Sequence, residues 1–211
     1  MRSLLLDLDG TLATTANVHK EAWEIALKRL GIRVEVNLDL LMGRKTLDIA
    51  RVLGGDRYLE LYNLKNEIYD ELVGTKAFPL PCARELVKDA RELGYSVAVV
   101  TSSLRRSAMR SLQAIGIEPD ILVAGDDVER GKPDPLPVLT ALRRLGSKPE
   151  KSIGVGDTVY DFQAFKGAGV AYVFIIKGEL NLDNSSLVDQ GGILVESPCD
   201  VDRFIRSVVF Q

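Results

Sequence analysis

Short apolar runs alternate with amphipathic segments along most of this chain. An apolar run bounded by turn residues is typical of a buried strand, and apolar residues spaced three and four apart are typical of a helix. The pattern predicts strands at about residues 1–6, 95–100, 121–124, 152–155 and 170–176. It predicts helices at about residues 82–93 and 135–145, one beginning near 104 and one ending near 168. This alternation is typical of an α/β protein with a Rossmann-like, doubly wound parallel sheet.

Residues 17–78 depart from this alternation. They contain no convincing strand and three helical patterns, at about residues 22–30, 47–53 and 58–73. An all-helical insert after the first strand predicts a small second domain. We therefore expect a core domain made of residues 1–16 and 79–211, joined by two linkers to a helical domain made of residues 17–78.

Composition and charge limit the classes of partner. The 211 residues are 46% hydrophobic, enough for a packed core, and carry a net charge of −3 with no block of like charges. Nucleic acids and anionic membranes attract basic surfaces, so we expect a small-molecule partner and a monomer or homodimer. The first apolar run meets a charged residue too early to form the core of a signal peptide, and no apolar run is long enough to cross a membrane. Both features favour a cytoplasmic enzyme. The two cysteines, Cys82 and Cys199, are expected to be buried free thiols.

Two carboxylates follow the first strand, in the pentapeptide Asp7-Leu8-Asp9-Gly10-Thr11. Side chains two residues apart on a strand point the same way, so the like charges of Asp7 and Asp9 repel unless a cation or a proton-transfer role offsets the repulsion. Taken alone, the pentapeptide also fits a surface turn. Ligands of parallel α/β sheets bind beyond the carboxyl ends of the strands, which directs attention to the other strand ends.

Hydroxyl groups and a lysine follow the next two strands. Thr101-Ser102-Ser103 stands just before a predicted helix, where hydroxyls and unpaired backbone N–H groups bind an anion such as phosphate, or simply cap the helix. Lys132 lies in the stiff loop Gly131-Lys132-Pro133-Asp134-Pro135. It is a candidate counter-charge for a phosphate, and a solvated surface lysine is the alternative.

The fourth strand ends near Asp157, and Asp161 follows one helical turn later on the same face. A dinucleotide-binding fingerprint would need glycine where Val159 stands, so that interpretation fails. Carboxylates at a helix start are favourable for the helix dipole in any case. If a metal binds, ligands that are all oxygen select magnesium over zinc or copper.

The four motifs, in this order, resemble those of the haloacid dehalogenase-like superfamily. The resemblance is to members with a helical cap domain inserted after the first motif, such as phosphoglycolate phosphatases and β-phosphoglucomutases. It implies a HAD-like core, with residues 17–78 as the cap. It also implies that Asp7 is the nucleophile that becomes an aspartyl phosphate and that Asp9 is the general acid and base.

The resemblance further implies a set of ligands. Mg²⁺ would be held by Asp7, the backbone carbonyl of Asp9 and Asp157, with Asp161 bound directly or through water. The transferring phosphoryl group would be stabilised by Thr101, Ser102 and Lys132.

The expected function is a magnesium-dependent phosphatase acting on a small phosphorylated metabolite, phosphoglycolate or a sugar phosphate. Asp9 favours phosphoryl transfer over dehalogenation, because dehalogenation needs no acid for the leaving group. The alternatives are a sugar-phosphate mutase of the β-phosphoglucomutase type and a catalytically silent binding protein of the same fold.

Three residues of the cap are candidates for substrate contact. Arg44 and Lys45 stand beside a glycine turn, where they contact the substrate or remain solvated. His19 lies near the first motif, and its alternative is a helix residue stacked against Trp23.

Overall fold

The computed structural model describes residues 1–180 and 182–208. Within them, six parallel strands form one sheet in the order β3-β2-β1-β4-β5-β6. The strands are β1 (Arg2–Leu6), β2 (Tyr95–Val100), β3 (Ile121–Val123), β4 (Ser152–Gly156), β5 (Tyr172–Ile176) and β6 (Ile193–Val195). The central strand β1 is entirely apolar after its first two residues, as a strand covered on both faces must be. The predicted fold class is confirmed.

The α-helices are α1 (Ala16–Leu30), α2 (Thr46–Gly54), α3 (Tyr58–Lys76), α4 (Ala83–Glu92), α5 (Arg105–Ile115), α6 (Leu136–Leu145), α7 (Val159–Gly167) and α8 (Pro198–Val208). Helices α4–α8 cover the two faces of the sheet. One hydrophobic cluster joins the sheet to α4, α5 and α8, and another joins its opposite face to α6 and α7. None of the helices in the described part of the chain is long and apolar enough to cross a membrane.

The three helices α1–α3 lie between β1 and α4 and build the helical cap after the first strand. They pack around their own hydrophobic cluster, whose largest fully buried members are Trp23, Tyr69 and Leu61. Helix α1 ends at Gly31, which adopts the left-handed conformation (φ 64°) that favours glycine at a helix C-terminus.

Sequence reasoning missed two elements near the C-terminus. Strand β6 has only three residues, and Ile193 and Leu194 are exposed, so its pattern lacks the buried run that marks the other strands. Helix α8 buries Val201 and Ile205 against the same sheet face as α4. Its periodic stretch is short, and only the fold reveals the surface that it covers.

The prediction of free cysteines was wrong. Cys82 and Cys199 form a disulfide that joins the start of α4 to the start of α8. The two residues are 117 positions apart, so no local pattern announces the pair. The packing of α4 against α8 brings their Cα atoms to 5.0 Å.

Candidate active site

The parallel register brings the candidate residues to one edge of the sheet. In β1, Leu6 lies opposite Val99 of β2 and Val155 of β4. The residue after β1 continues the pairing, since the Asp7 N–H donates to the Val155 carbonyl at 2.8 Å. Thr101, just past β2, is bound in the same way to β3. The strand ends therefore converge at the place where a parallel sheet binds its ligands.

Lys132 is buried at the centre of this edge, with 1% of its side chain exposed. Its Nζ donates to Asp7 Oδ1 at 2.6 Å, to Asp161 Oδ1 at 2.5 Å and to the Val100 carbonyl at 3.0 Å. Burial opposes the charge, but Asp161 and Asp7 raise the pKa of Lys132 above its usual range. The alternative of a solvated surface lysine is thereby excluded.

Three buried carboxylates could hold a cation. Oxygen atoms of Asp7, Asp157 and Asp161 all lie within 4.8 Å of one another. Burial and the negative charge of Asp161 raise the pKa of Asp7 to about 8. Burial and the charges of Asp161 and Asp7 also raise the pKa of Asp157 well above its ordinary value. One ammonium group does not balance three carboxylates, and a divalent cation would relieve this repulsion.

Two glycines leave space around Asp157. A β-carbon on Gly10 would lie 2.2 Å from Asp157 Oδ2, and one on Gly178 would lie 2.5 Å from the same atom. Gly10 also has a φ of 86°, which side chains other than glycine rarely adopt. The cradle and its all-oxygen donors fit Mg²⁺.

Asp161 is also part of the start of helix α7. Its Oδ2 accepts from the Thr158 N–H at 3.0 Å and from Thr158 Oγ1 at 2.6 Å, in a capping box, while its Oδ1 accepts from Lys132. Both carboxylate oxygens are thus occupied by protein donors. This arrangement favours contact with a metal through water and gives Asp161 a second role, the orientation of Lys132.

The Asp9 carboxylate accepts hydrogen bonds from hydroxyl groups on two sides. Thr15 Oγ1 donates to Oδ1 at 2.5 Å, and Ser103 Oγ and Thr101 Oγ1 donate to Oδ2 at 2.6 and 3.3 Å. His19 Nε2 lies 3.3 Å from Oδ1. Burial opposes ionisation, but His19, Ser103 and Thr15 together hold the pKa of Asp9 below its usual range. The carboxylate is therefore ionised here and able to accept a proton.

His19 continues this network into the cap. Lys65 Nζ donates to His19 Nδ1 at 2.7 Å, which assigns the remaining ring proton to Nε2, facing Asp9. The imidazole stacks on Tyr69, with ring centroids 3.8 Å apart, and not on Trp23 as the alternative interpretation held. Burial, together with the charge of Lys65, lowers the pKa of His19, and burial lowers the pKa of Lys65 to about 7.

Sequence reasoning missed Lys65, Thr15 and the contact that Ser103 makes with Asp9. A signal for Lys65 was present, because it stands on the apolar face of α3, one turn after Leu61 and one turn before Tyr69. A charged residue at a buried helical position is unusual unless it has a partner. Nothing local marks Thr15.

The cavity above these residues is small, about 40 Å³, which is room for only a few water molecules. Core and cap residues line it, including Asp7, Asp9, Asp157, His19, Arg44 and Leu180. The structure thus holds a closed cap, and substrate entry requires it to open.

The remaining predicted residues lie where the cap meets the core. Arg44 lines the cavity, but Lys45 Nζ donates to the carbonyl groups of Val128 and Glu129, at 2.9 and 3.2 Å. Ser102 also lines the cavity, and its hydroxyl donates to the carbonyl of the cap residue Gly43 at 2.6 Å. In this closed arrangement Lys45 and the Ser102 hydroxyl link the helical cap to the core.

Comparison with known proteins agrees with this architecture. A model of the haloacid dehalogenase-like hydrolases matches residues 4–175. The chain is 33% identical to a phosphoglycolate phosphatase from Aquifex aeolicus over the whole of both chains. It is 32% identical to the pyrophosphatase PpaX from Halalkalibacterium halodurans, over 85% of this chain and 86% of that protein. A hydrolase from Pseudomonas syringae has the same fold, with a TM-score of 0.86, 23% identity and 99% coverage of each chain. The chain belongs to the haloacid dehalogenase-like hydrolase family.

Proposed function

We propose that this protein is a magnesium-dependent phosphatase that hydrolyses a small phosphorylated metabolite through an aspartyl-phosphate intermediate. The observation that carries the proposal is the pairing of two neighbouring aspartates, one buried and one partly buried, with different partners. Asp7 is bound to Lys132, while Asp9 is bound to hydroxyl groups and His19. The relatives described above are a phosphoglycolate phosphatase and a pyrophosphatase, and the chain is a phosphoric monoester hydrolase.

Asp7 is the proposed nucleophile. Lys132 binds its Oδ1, and among the described residues Oδ2 has no hydrogen-bond partner, so Oδ2 is the atom that would attack phosphorus. As the new bond between Asp7 and phosphorus forms, the bond from phosphorus to the leaving oxygen breaks. A water molecule then attacks phosphorus, the aspartyl bond breaks, and inorganic phosphate leaves with the Asp7 carboxylate restored.

Asp9 is the proposed proton carrier. It gives a proton to the leaving oxygen in the first step and takes one from the attacking water in the second. Its low pKa in the substrate-free arrangement keeps Asp9 ionised, the form that the second step requires. A phosphate dianion bound beside Asp9 raises that pKa by charge repulsion, which suits the first step.

Asp7, Asp157 and the backbone carbonyl of Asp9 would hold Mg²⁺, with Asp161 acting directly or through water. When bound, the ion offsets the repulsion between the phosphate and the Asp7 carboxylate. Thr101 and Lys132 would bind the phosphoryl oxygens.

A phosphate-release screen over phosphorylated metabolites, with Mg²⁺ or with EDTA, tests this function. We expect release from at least one ester, loss of release with EDTA and no turnover by Asp7→Asn. The variant should melt no lower than the metal-free wild type, because it relieves the cost of burying the Asp7 carboxyl beside Asp161 and Asp157. Asp56→Asn, an exposed aspartate on the cap, is the matched control and should remain fully active.

Three results would contradict the proposal. Substantial turnover by Asp7→Asn would exclude this nucleophile. Isomerisation of β-glucose 1-phosphate without release of inorganic phosphate would identify a mutase. An absence of turnover with every ester in the presence of Mg²⁺ would favour a catalytically silent protein.

A further inference from the structure

The loop after β5 contacts both the acidic cluster and the cap. Gly178 lies against the Asp157 carboxylate, and Asn184 Nδ2 donates to the Asp157 carbonyl at 2.9 Å. Leu180 lines the cavity and packs into the hydrophobic cluster of the cap. Between them, Glu179 reaches the first residues of helix α1. None of the four sequence motifs includes this loop.

Glu179 caps α1 from outside the helix. Its Oε2 accepts from the Ala16 N–H at 2.9 Å, and its Oε1 accepts from Asn17 Nδ2 at 3.2 Å. The first N–H groups of a helix have no acceptor within the helix, and the residue just before the helix usually supplies one. That residue is Thr15, and its side chain makes no capping bond here.

The Thr15 hydroxyl is directed to Asp9 instead, at 2.5 Å. Thr15 has a helical backbone conformation (φ −111°, ψ −8°), not the extended one from which a side chain caps its own helix. The Glu179 carboxylate supplies an acceptor at the neighbouring Ala16 N–H instead and holds the segment that carries the Thr15 hydroxyl. Glu179, Thr15 and Asp9 are thus connected through two hydrogen-bonded steps, across the segment that joins β1 to the cap.

We propose that Glu179 is a positioning residue for Asp9, acting through the N-terminus of α1 and the Thr15 hydroxyl. The inference rests on the proposed function, in which Asp9 carries the proton. Without Glu179, the Ala16 N–H loses its acceptor, and the start of α1 no longer holds the Thr15 hydroxyl firmly against Asp9. Asp9 then loses its shortest hydrogen bond, and its orientation toward the leaving oxygen is relaxed.

Two esters with different leaving groups separate this role from a structural one. Departure of an alkoxide, as from phosphoglycolate, needs a proton, whereas departure of p-nitrophenolate does not. For Glu179→Ala we expect single-turnover phosphorylation by the alkyl ester to slow about tenfold, with KM changed by less than about twofold. Phosphorylation by p-nitrophenyl phosphate should stay within about twofold of the wild type.

Three further variants complete the test. Glu179→Gln keeps one acceptor oxygen for the Ala16 N–H and should retain most of the rate. Glu196→Ala removes an exposed carboxylate at the end of β6 and should match the wild type. If Glu179 acts through Thr15, Glu179→Ala should add less than about twofold to the defect of Thr15→Val. If Glu179→Ala does not fold, Glu179→Leu, which keeps most of the side-chain bulk but has no acceptor oxygen, takes its place in both comparisons.

The inference is overturned if Glu179→Ala slows both esters equally, if its defect multiplies with that of Thr15→Val, or if it matches the wild type. Failure of the proposed function has a different signature, since the wild type itself would then release no phosphate.

Discussion

At the scale of single residues, negative charges outnumber positive charges in the site. Lys132 donates three hydrogen bonds, two of them to carboxylates, and is held rigidly. Asp157 completes a group of three negative charges around one positive charge. Such a group is poorly balanced without a cation, so the acidic cluster that limits the stability of the metal-free protein also suits the site to a divalent cation such as the proposed Mg²⁺.

Lys65 provides a prediction at the same scale. Its ammonium group is buried on the cap side of the site, and its pKa falls to about 7. Between about pH 7 and pH 10 the unfolded chain therefore holds a proton that the folded chain has released, and the free energy of unfolding rises with pH. We expect Lys65→Met to lose this slope, which is up to about 1.4 kcal/mol per pH unit.

Urea unfolding at several values between about pH 8 and pH 10 measures this slope. Lys88→Met, which replaces an exposed lysine on α4, should keep the wild-type slope. Equal slopes for Lys65→Met and the wild type would mean that Lys65 keeps an ordinary pKa in the folded protein.

At the scale of elements, the closed cap rests mainly on the packing of α3 against α5. Tyr69 of α3 shares a buried hydrogen bond with Ser111 of α5 at 2.8 Å. Next to it, Asp70 pairs with Arg106 and lies 3.7 Å from Arg110. The cap also carries Lys65 and His19, so its closure places His19 beside Asp9.

We expect Asp70→Asn to raise KM by up to about fivefold with kcat nearly unchanged, because a partly exposed ion pair contributes about 0.2–1 kcal/mol to the closed state. High salt should raise the wild-type KM toward that of the variant. Glu60→Gln, which breaks the Arg57–Glu60 pair within the cap, should leave KM unchanged. A salt-independent KM that is equal in all three proteins would contradict this role of Asp70.

At the scale of the whole molecule, the core is a sheet between two helical layers, and a disulfide cross-links helix α8 to helix α4. The disulfide between Cys82 and Cys199 fastens α8 to α4, at the point where the chain returns from the cap. A cross-link across 117 positions restricts the unfolded chain strongly and therefore stabilises the folded one.

Reduction of this disulfide should lower the free energy of unfolding by about 2–4 kcal/mol. Turnover at room temperature should be unaffected, since neither cysteine lines the cavity. Denaturant unfolding with and without dithiothreitol measures the change, and a variant with both cysteines replaced by alanine should no longer respond to the reductant. Equal stability of the oxidised and reduced wild type would contradict this prediction.

The sequence by itself determined the alternation of strands and helices, the helical insert after β1 and the residues of the four motifs. These features are local, because each is carried by neighbouring residues and by the period of strand or helix. The tertiary structure decided the pairing of Lys65 with His19 across 46 positions, of Cys82 with Cys199 across 117 and of Glu179 with Ala16 across 163. Contacts of this kind depend on how the elements pack, and no periodicity along the chain records that packing.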